Sequence, residues 1–103
     1  MARHNETGRW GEDLAADYLT EQGYAIVERN WHHRHYEIDL IAMRDDLLVV
    51  AEVKTRTNRD EDPLEAVDNK KILNMVRAAD AFLKKSGLPH QVRFDLFAIS
   101  GTP

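Results

Sequence analysis

The segment Leu47–Thr55, LLVVAEVKT, constrains this chain more than any other. Leu47 to Ala51 is its longest uninterrupted apolar run. Successive residues of a strand point to opposite faces, so a strand apolar at every position has both faces covered. That is the pattern of a central strand in a layered α/β structure. Glu52 and Lys54 extend the same strand, where an uncompensated charge is costly.

The flanking segments supply the covering layers. Trp10, Leu14 and Tyr18, with Ala15 and Leu19, recur at three- and four-residue spacing and predict a helix with one apolar stripe. Gly23 follows, at the position of a left-handed cap. Tyr24–Asn30 reads as a strand, and Tyr36–Met43 as another with Ile38, Leu40 and Ala42 on one face. Arg44-Asp45-Asp46 is a polar break between the latter strand and Leu47. Asp62-Pro63-Leu64-Glu65 combines an N-cap residue, a first-turn proline and an acid, which is a helix start. The apolar phase slips between Val67 and Ile72, so Asp68-Asn69 is an alternative start: one kinked helix, or a short helix and a longer one. Lys84-Lys85-Ser86-Gly87 suits a helix end. Val92–Ile99 is the last strand, returning after a helical crossover. The expected fold is therefore α/β, a mixed β-sheet flanked by helices in the order α-β-β-β-α-β, with residues 1–103 as a single domain.

The absence of cysteine excludes disulfides and thiolate metal sites. No apolar run is long enough to span a membrane, and the N-terminal MARHNETGRW lacks the apolar core of a secretory signal, so a cytoplasmic protein is the default expectation. Net charge is −4, which weighs against nucleic-acid binding. The distribution softens that: cations gather in Arg29–His35, in Lys54–Arg59 and at Lys70-Lys71. A carboxylate site also adds negative charge that a bound metal would offset.

With Asp45-Asp46 as a two-residue turn, paired residues of the hairpin have numbers summing to 91. Asp39 then falls opposite Glu52, and Glu37 opposite Lys54, all four on one side with Ile38 and Val53 on the other. Directly opposed side chains have Cβ atoms roughly 5 Å apart, and like charges there repel. A shared proton or a divalent cation relieves the repulsion. Mg²⁺ takes one or two carboxylates, waters and a substrate phosphate. A neighbouring lysine orients a water or stabilises a phosphorane. The set suits phosphodiester hydrolysis. The plainer reading is a solvated hairpin end, with Glu37–Lys54 a surface ion pair.

Asp39, thirteen positions on, then Glu52-Val53-Lys54 resembles the PD-(D/E)XK nuclease core. More closely, GRWGEDLAADYL (Gly8–Leu19), EIDLIA (Glu37–Ala42) and AEVKTR (Ala51–Arg56) resemble the YraN family of small bacterial proteins, over nearly the whole chain. Members of that family are predicted endonucleases, similar in fold to archaeal Holliday-junction resolvases. The resemblance implies a restriction-endonuclease-like core, Asp39 and Glu52 as ligands for Mg²⁺ or Mn²⁺, Lys54 as the catalytic lysine and Glu12 as a further catalytic acid. On the residues alone, Glu12 is a solvated helix position. Glu37 matches the family's acidic segment and is assigned a supporting role as partner of Lys54. Arg56 lies in the matched segment, and Lys70 and Lys71 stand where the family carries a basic residue at a helix start. The three are candidates for nucleic-acid phosphate contact, and a solvated helix face remains open for the two lysines. Tyr36 stands where the family usually has glycine. The family also commonly runs on past the last strand, where this chain stops at Pro103; such a piece would bear on substrate contact or dimerisation.

Three functions follow as expectations: a metal-dependent endonuclease acting on DNA, branched or single-stranded, with resolvase-like homodimer pairing of sites; a catalytically silent nucleic-acid-binding module of the same fold; and a scaffold in which the acids are incidental. His32, His33 and His35 have loose, loop-like spacing for a metal site and suit surface or DNA contact better. Trp10 is expected in the core, and Trp31 as a sheet-edge anchor or a base-stacking platform.

Overall fold

The computed structural model describes residues 2–56, 69–87 and 91–103. Helix α1 spans Ala2–Glu21, and strands β1, β2 and β3 span Ala25–His33, Tyr36–Arg44 and Leu47–Arg56. Helix α2 spans Asn69–Ser86 and strand β4 spans Gln91–Ser100. The four strands lie in the order β1-β2-β3-β4. The first three form an antiparallel meander, and β4 joins β3 in parallel. This is the expected α-β-β-β-α-β order around a mixed sheet. The proposed helix start at Asp62-Pro63-Leu64-Glu65, the phase slip after Val67 and Asp68 lie outside the described residues. No helix among the described residues is long and apolar enough to cross a membrane.

Strand β3 is central and serves two cores. Val49 and Ala51 pack with Ala15, Ala16 and Leu19 of α1, while Leu48 and Val50 pack with Ala78 and Ala79 of α2. That split is the two-sided burial expected of LLVVA.

The buried face of α1 differs from the expected stripe. Leu14 and Tyr18 are exposed, and the contact face is Gly11, Ala15, Ala16 and Leu19. Trp10 is only partly buried. Small residues win because they let the helix backbone approach the sheet. A Cβ built on Gly11 collides with the Thr55 hydroxyl and lies 3.3 Å from Thr55 Cβ. Helix α1 ends in a Schellman cap: Gly23 takes φ 91°, its N–H donates to Thr20 O, and the Tyr24 N–H donates to Leu19 O. Tyr24 and Leu19 then meet in the core.

Two further differences lie in the meander. Strand β1 runs past its expected end at Asn30, through Trp31 and through His32 and His33 with their loop-like spacing, and turns at Arg34, whose φ is 58°. Trp31 is partly buried edge-to-face on Phe82, ring centroids 5.4 Å apart, which makes it a packing residue of the α2 core. Tyr36 pairs with His33 in the ladder. In β2, Leu40 and Ala42 share a face as expected, and that face packs on α1, but Ile38, expected on the same face, packs in the α2 core. The alternation breaks at the intervening residue, Asp39.

Candidate functional site

The β2–β3 hairpin turns at Asp45-Asp46, and its pairs run from Arg44↔Leu47 to Leu40↔Ala51, the register inferred from the sequence. Asp45 takes the positive φ, 55°, that a short polar side chain tolerates. Beyond Leu40↔Ala51 the two strands follow different neighbours. Ile38, Glu37 and Tyr36 stay paired with β1, while Glu52, Val53 and Lys54 stay paired with β4. The sheet forks there, and Asp39 and Glu52 stand on its two sides. The Val53 N–H, lacking a β2 carbonyl, donates to Asp39 Oδ2 at 2.8 Å. The fork thus consumes one face of Asp39 as a substitute for the ladder.

Glu52 is 6% exposed and is the one buried charged side chain among the described residues. Two lysines neutralise it. Lys71 Nζ of α2 lies 2.7 Å from Glu52 Oε1, and Lys54 Nζ lies 3.6 Å from the same oxygen. Burial alone would lower the Lys71 pKa, but the Glu52 carboxylate outweighs it and holds the ammonium above its usual range. Lys71, expected at phosphate, therefore points into the carboxylate site, while Lys70 is exposed. Arg56 is partly buried, with its guanidinium 3.5 Å from Thr55 O and its own carbonyl accepting from the Gly101 N–H.

Burial pushes the Asp39 carboxyl from 3.8 to about 6. The Val53 N–H opposes the rise, and the negative charges of Glu52, Glu12 and Glu37 add to it. Glu12 comes from α1, and its side chain is 17% exposed rather than solvated. Asn30 Nδ2 donates to Glu12 Oε1 at 3.0 Å, and Arg29 Nη2 lies 3.7 Å from the same oxygen. Arg29 also pairs with Asp13 at 2.7 Å.

Glu37 departs from its expected place. It does not meet Lys54, because β2 follows β1 past the fork. Glu37 sits across from His32, Oε1 4.0 Å from Nε2, and the ion-pair partner of Lys54 is Glu52. Among the described residues, no group of three or more His, Cys, Asp or Glu side chains encloses a metal-sized site. Asp39 and Glu52 offer two carboxylates from opposite sides of the fork, and a cation held there would need to complete its shell with water or other oxygen ligands. Mg²⁺ accepts that arrangement.

A family model described as "Uncharacterised protein family UPF0102" matches residues 11–99, a span that includes every acid and lysine of the fork. The chain belongs to the UPF0102 family. A UPF0102 protein of Bacteroides thetaiotaomicron is 48% identical over 102 residues, covering 98% of this chain and 84% of the relative. One from Parabacteroides distasonis is 47% identical over 103 residues, covering 96% and 83%. One from Flavobacterium johnsoniae is 42% identical over 104 residues, covering 96% and 85%.

Three features of this UPF0102 site escape sequence reasoning. Asn30 adopts φ 52° and lies between Arg29↔Leu40 and Trp31↔Ile38, across from Asp39, where it holds Glu12. An asparagine is among the few residues suited to that backbone, but nothing local says that one is required. Arg29 is visible only as a cation in a basic run. The Lys71–Glu52 contact joins residues nineteen apart across different elements, which no strand or helix periodicity encodes.

Proposed function

We propose that this chain is a divalent-cation-dependent endonuclease of the PD-(D/E)XK type that hydrolyses DNA phosphodiester bonds. The reading rests chiefly on one observation: Glu52, a buried carboxylate, faces Asp39 across a fork in the sheet with Lys54 beside it. Charge at such a place is costly without a role. Mg²⁺ or Mn²⁺ held by Asp39 and Glu52 would supply a Lewis acid for a phosphate oxygen and a more acidic bound water. The chain's own groups do the rest. Asp39 and Glu52 present oxygens from strands fixed by separate neighbours, so their spacing is set by the sheet. The Val53 N–H orients Asp39, and Asn30 with Arg29 orients Glu12. Lys54 supplies positive charge where the phosphorane develops.

A second reading has its own observation. Lys71 already places an ammonium 2.7 Å from Glu52 Oε1, as a binding module that has given up the cation would. Titration with Mn²⁺, and incubation with linear, nicked, flapped and four-way DNA, separates the two. The endonuclease reading expects cation binding and cleavage in the wild type, with both lost in Asp39→Ala. Cation-independent DNA binding with no cleavage of any form supports the silent module instead.

A further inference from the structure

Helix α2 carries Lys70, Arg77 and Lys84 at seven-residue spacing, and all three are exposed. Seven residues are nearly two helical turns, so the three form one stripe. The stripe starts beside Lys71, which touches Glu52, and fourteen residues along the helix extend about 21 Å. At its far end, α2 and the tip of the β1–β2 hairpin bound an open groove of about 790 Å³. Arg34 and Tyr36 line it from the hairpin, and Arg77, Lys84 and Lys85 from the helix. The lining holds one acid, Asp80, which pairs with Lys84 at 2.9 Å. Arg34, Arg77 and Lys85 have no ion-pair partner among the described residues. Four cations against one acid is the reverse of a chain whose net charge is −4. Lys84 and Lys85 in the last turn also complement the helix dipole. That account does not reach Arg34 or Arg77.

We infer that this stripe and groove hold the phosphate backbone of a nucleic-acid strand leading away from the carboxylate fork, an inference that builds on the endonuclease reading by naming a path for its substrate. Along the axis of a duplex each strand carries one phosphate per about 3.4 Å, so a stripe lying along that axis matches the axial length of about six phosphate steps. Contacts of this kind position a strand without reading its bases.

The test is fluorescence anisotropy with labelled single-stranded and duplex oligonucleotides of mixed sequence, in EDTA, over a salt series. Wild type is compared with Arg34→Glu/Arg77→Glu/Lys85→Glu and with the milder Arg34→Gln/Arg77→Gln, folding being checked by circular dichroism. The expected result is at least tenfold weaker binding for the reversed variant and an intermediate loss for the neutral one. The plot of log K against log salt should flatten by about 0.9 on duplex DNA, or about 0.7 on a single strand, for each phosphate that a variant no longer neutralises. Whichever oligonucleotide shows the larger loss is the form that follows the track. Unchanged binding in the reversed variant overturns the inference. Displacement of the oligonucleotide by poly-glutamate as readily as by unlabelled DNA also overturns it, since the surface would then fit an acidic protein. EDTA makes the result independent of cleavage: a wild type that never cuts DNA but shows this binding pattern defeats the endonuclease reading alone.

Discussion

Asp39 carries a cost that the fold does not remove. Its carboxyl pKa is raised from 3.8 to about 6, first by burial and then by neighbouring carboxylates. A raised carboxyl means that the folded state holds its proton more tightly than the unfolded chain does. The penalty is therefore absent below 3.8, grows between 3.8 and about 6, and is complete above that. A displacement of this size corresponds to roughly 3 kcal/mol as an upper bound. Asp39→Asn keeps an oxygen for the Val53 N–H and loses the charge. In EDTA its urea midpoint should exceed that of the wild type at pH 7.5, and the two should converge near pH 4. Lys71 makes the opposite case. Lys71→Met leaves the buried Glu52 with Lys54 alone at 3.6 Å and should lower stability by about 1–3 kcal/mol in EDTA. Mn²⁺ should then restore more stability to that variant than it adds to the wild type, because a cation binding only the folded state stabilises it by mass action. Equal Mn²⁺ responses in both proteins would remove Lys71 as a competitor for Glu52.

Among the elements, the hairpin was the most legible. A two-residue polar turn between an alternating strand and a two-faced strand leaves one register, and Asp45-Asp46 occupies it. The position of Asp39 near Glu52 followed from that arithmetic. The β2–β3 ladder ends at Leu40↔Ala51, so neither the expected Asp39–Glu52 pair nor the expected Glu37–Lys54 pair forms: Asp39 and Glu52 stand across the fork, and Glu37 pairs with His32 of β1. Periodicity carries no sign of a fork, nor of the face change between Leu40 and Ile38. In α1, Leu14 and Tyr18 look like core residues by spacing, yet depth of approach selects the small face. Gly11→Ala tests this directly. The added methyl meets Thr55, and the helix or the strand end must shift. A loss of about 1–3 kcal/mol is expected, as for other overpacked contacts. Gly11→Ala/Thr55→Gly should recover part of that loss, with a coupling that a double-mutant cycle resolves. Additive effects would mean that the helix does not rest on Thr55.

At the scale of the whole molecule, the two cores and the fork belong to one plan. Helix α1 brings Glu12 to one side of the fork, and helix α2 brings Lys71 to the other. The sheet holds Asp39 and Glu52 between them through separate strand partners. The UPF0102 match at residues 11–99 covers this whole arrangement. Lys54 is the member whose role is hardest to explain by stability, since Lys71 already provides the shorter contact to Glu52. Single-turnover cleavage of labelled DNA in Mn²⁺, comparing wild type with Lys54→Met, is therefore the most direct test of the endonuclease reading. The reading expects cleavage by the wild type and a rate loss of about 10²–10³-fold in the variant, the scale for removing one charge-stabilising group, with Mn²⁺ and DNA binding retained. Cleavage by Lys54→Met at the wild-type rate, or no cleavage of any DNA form by the wild type, would contradict it.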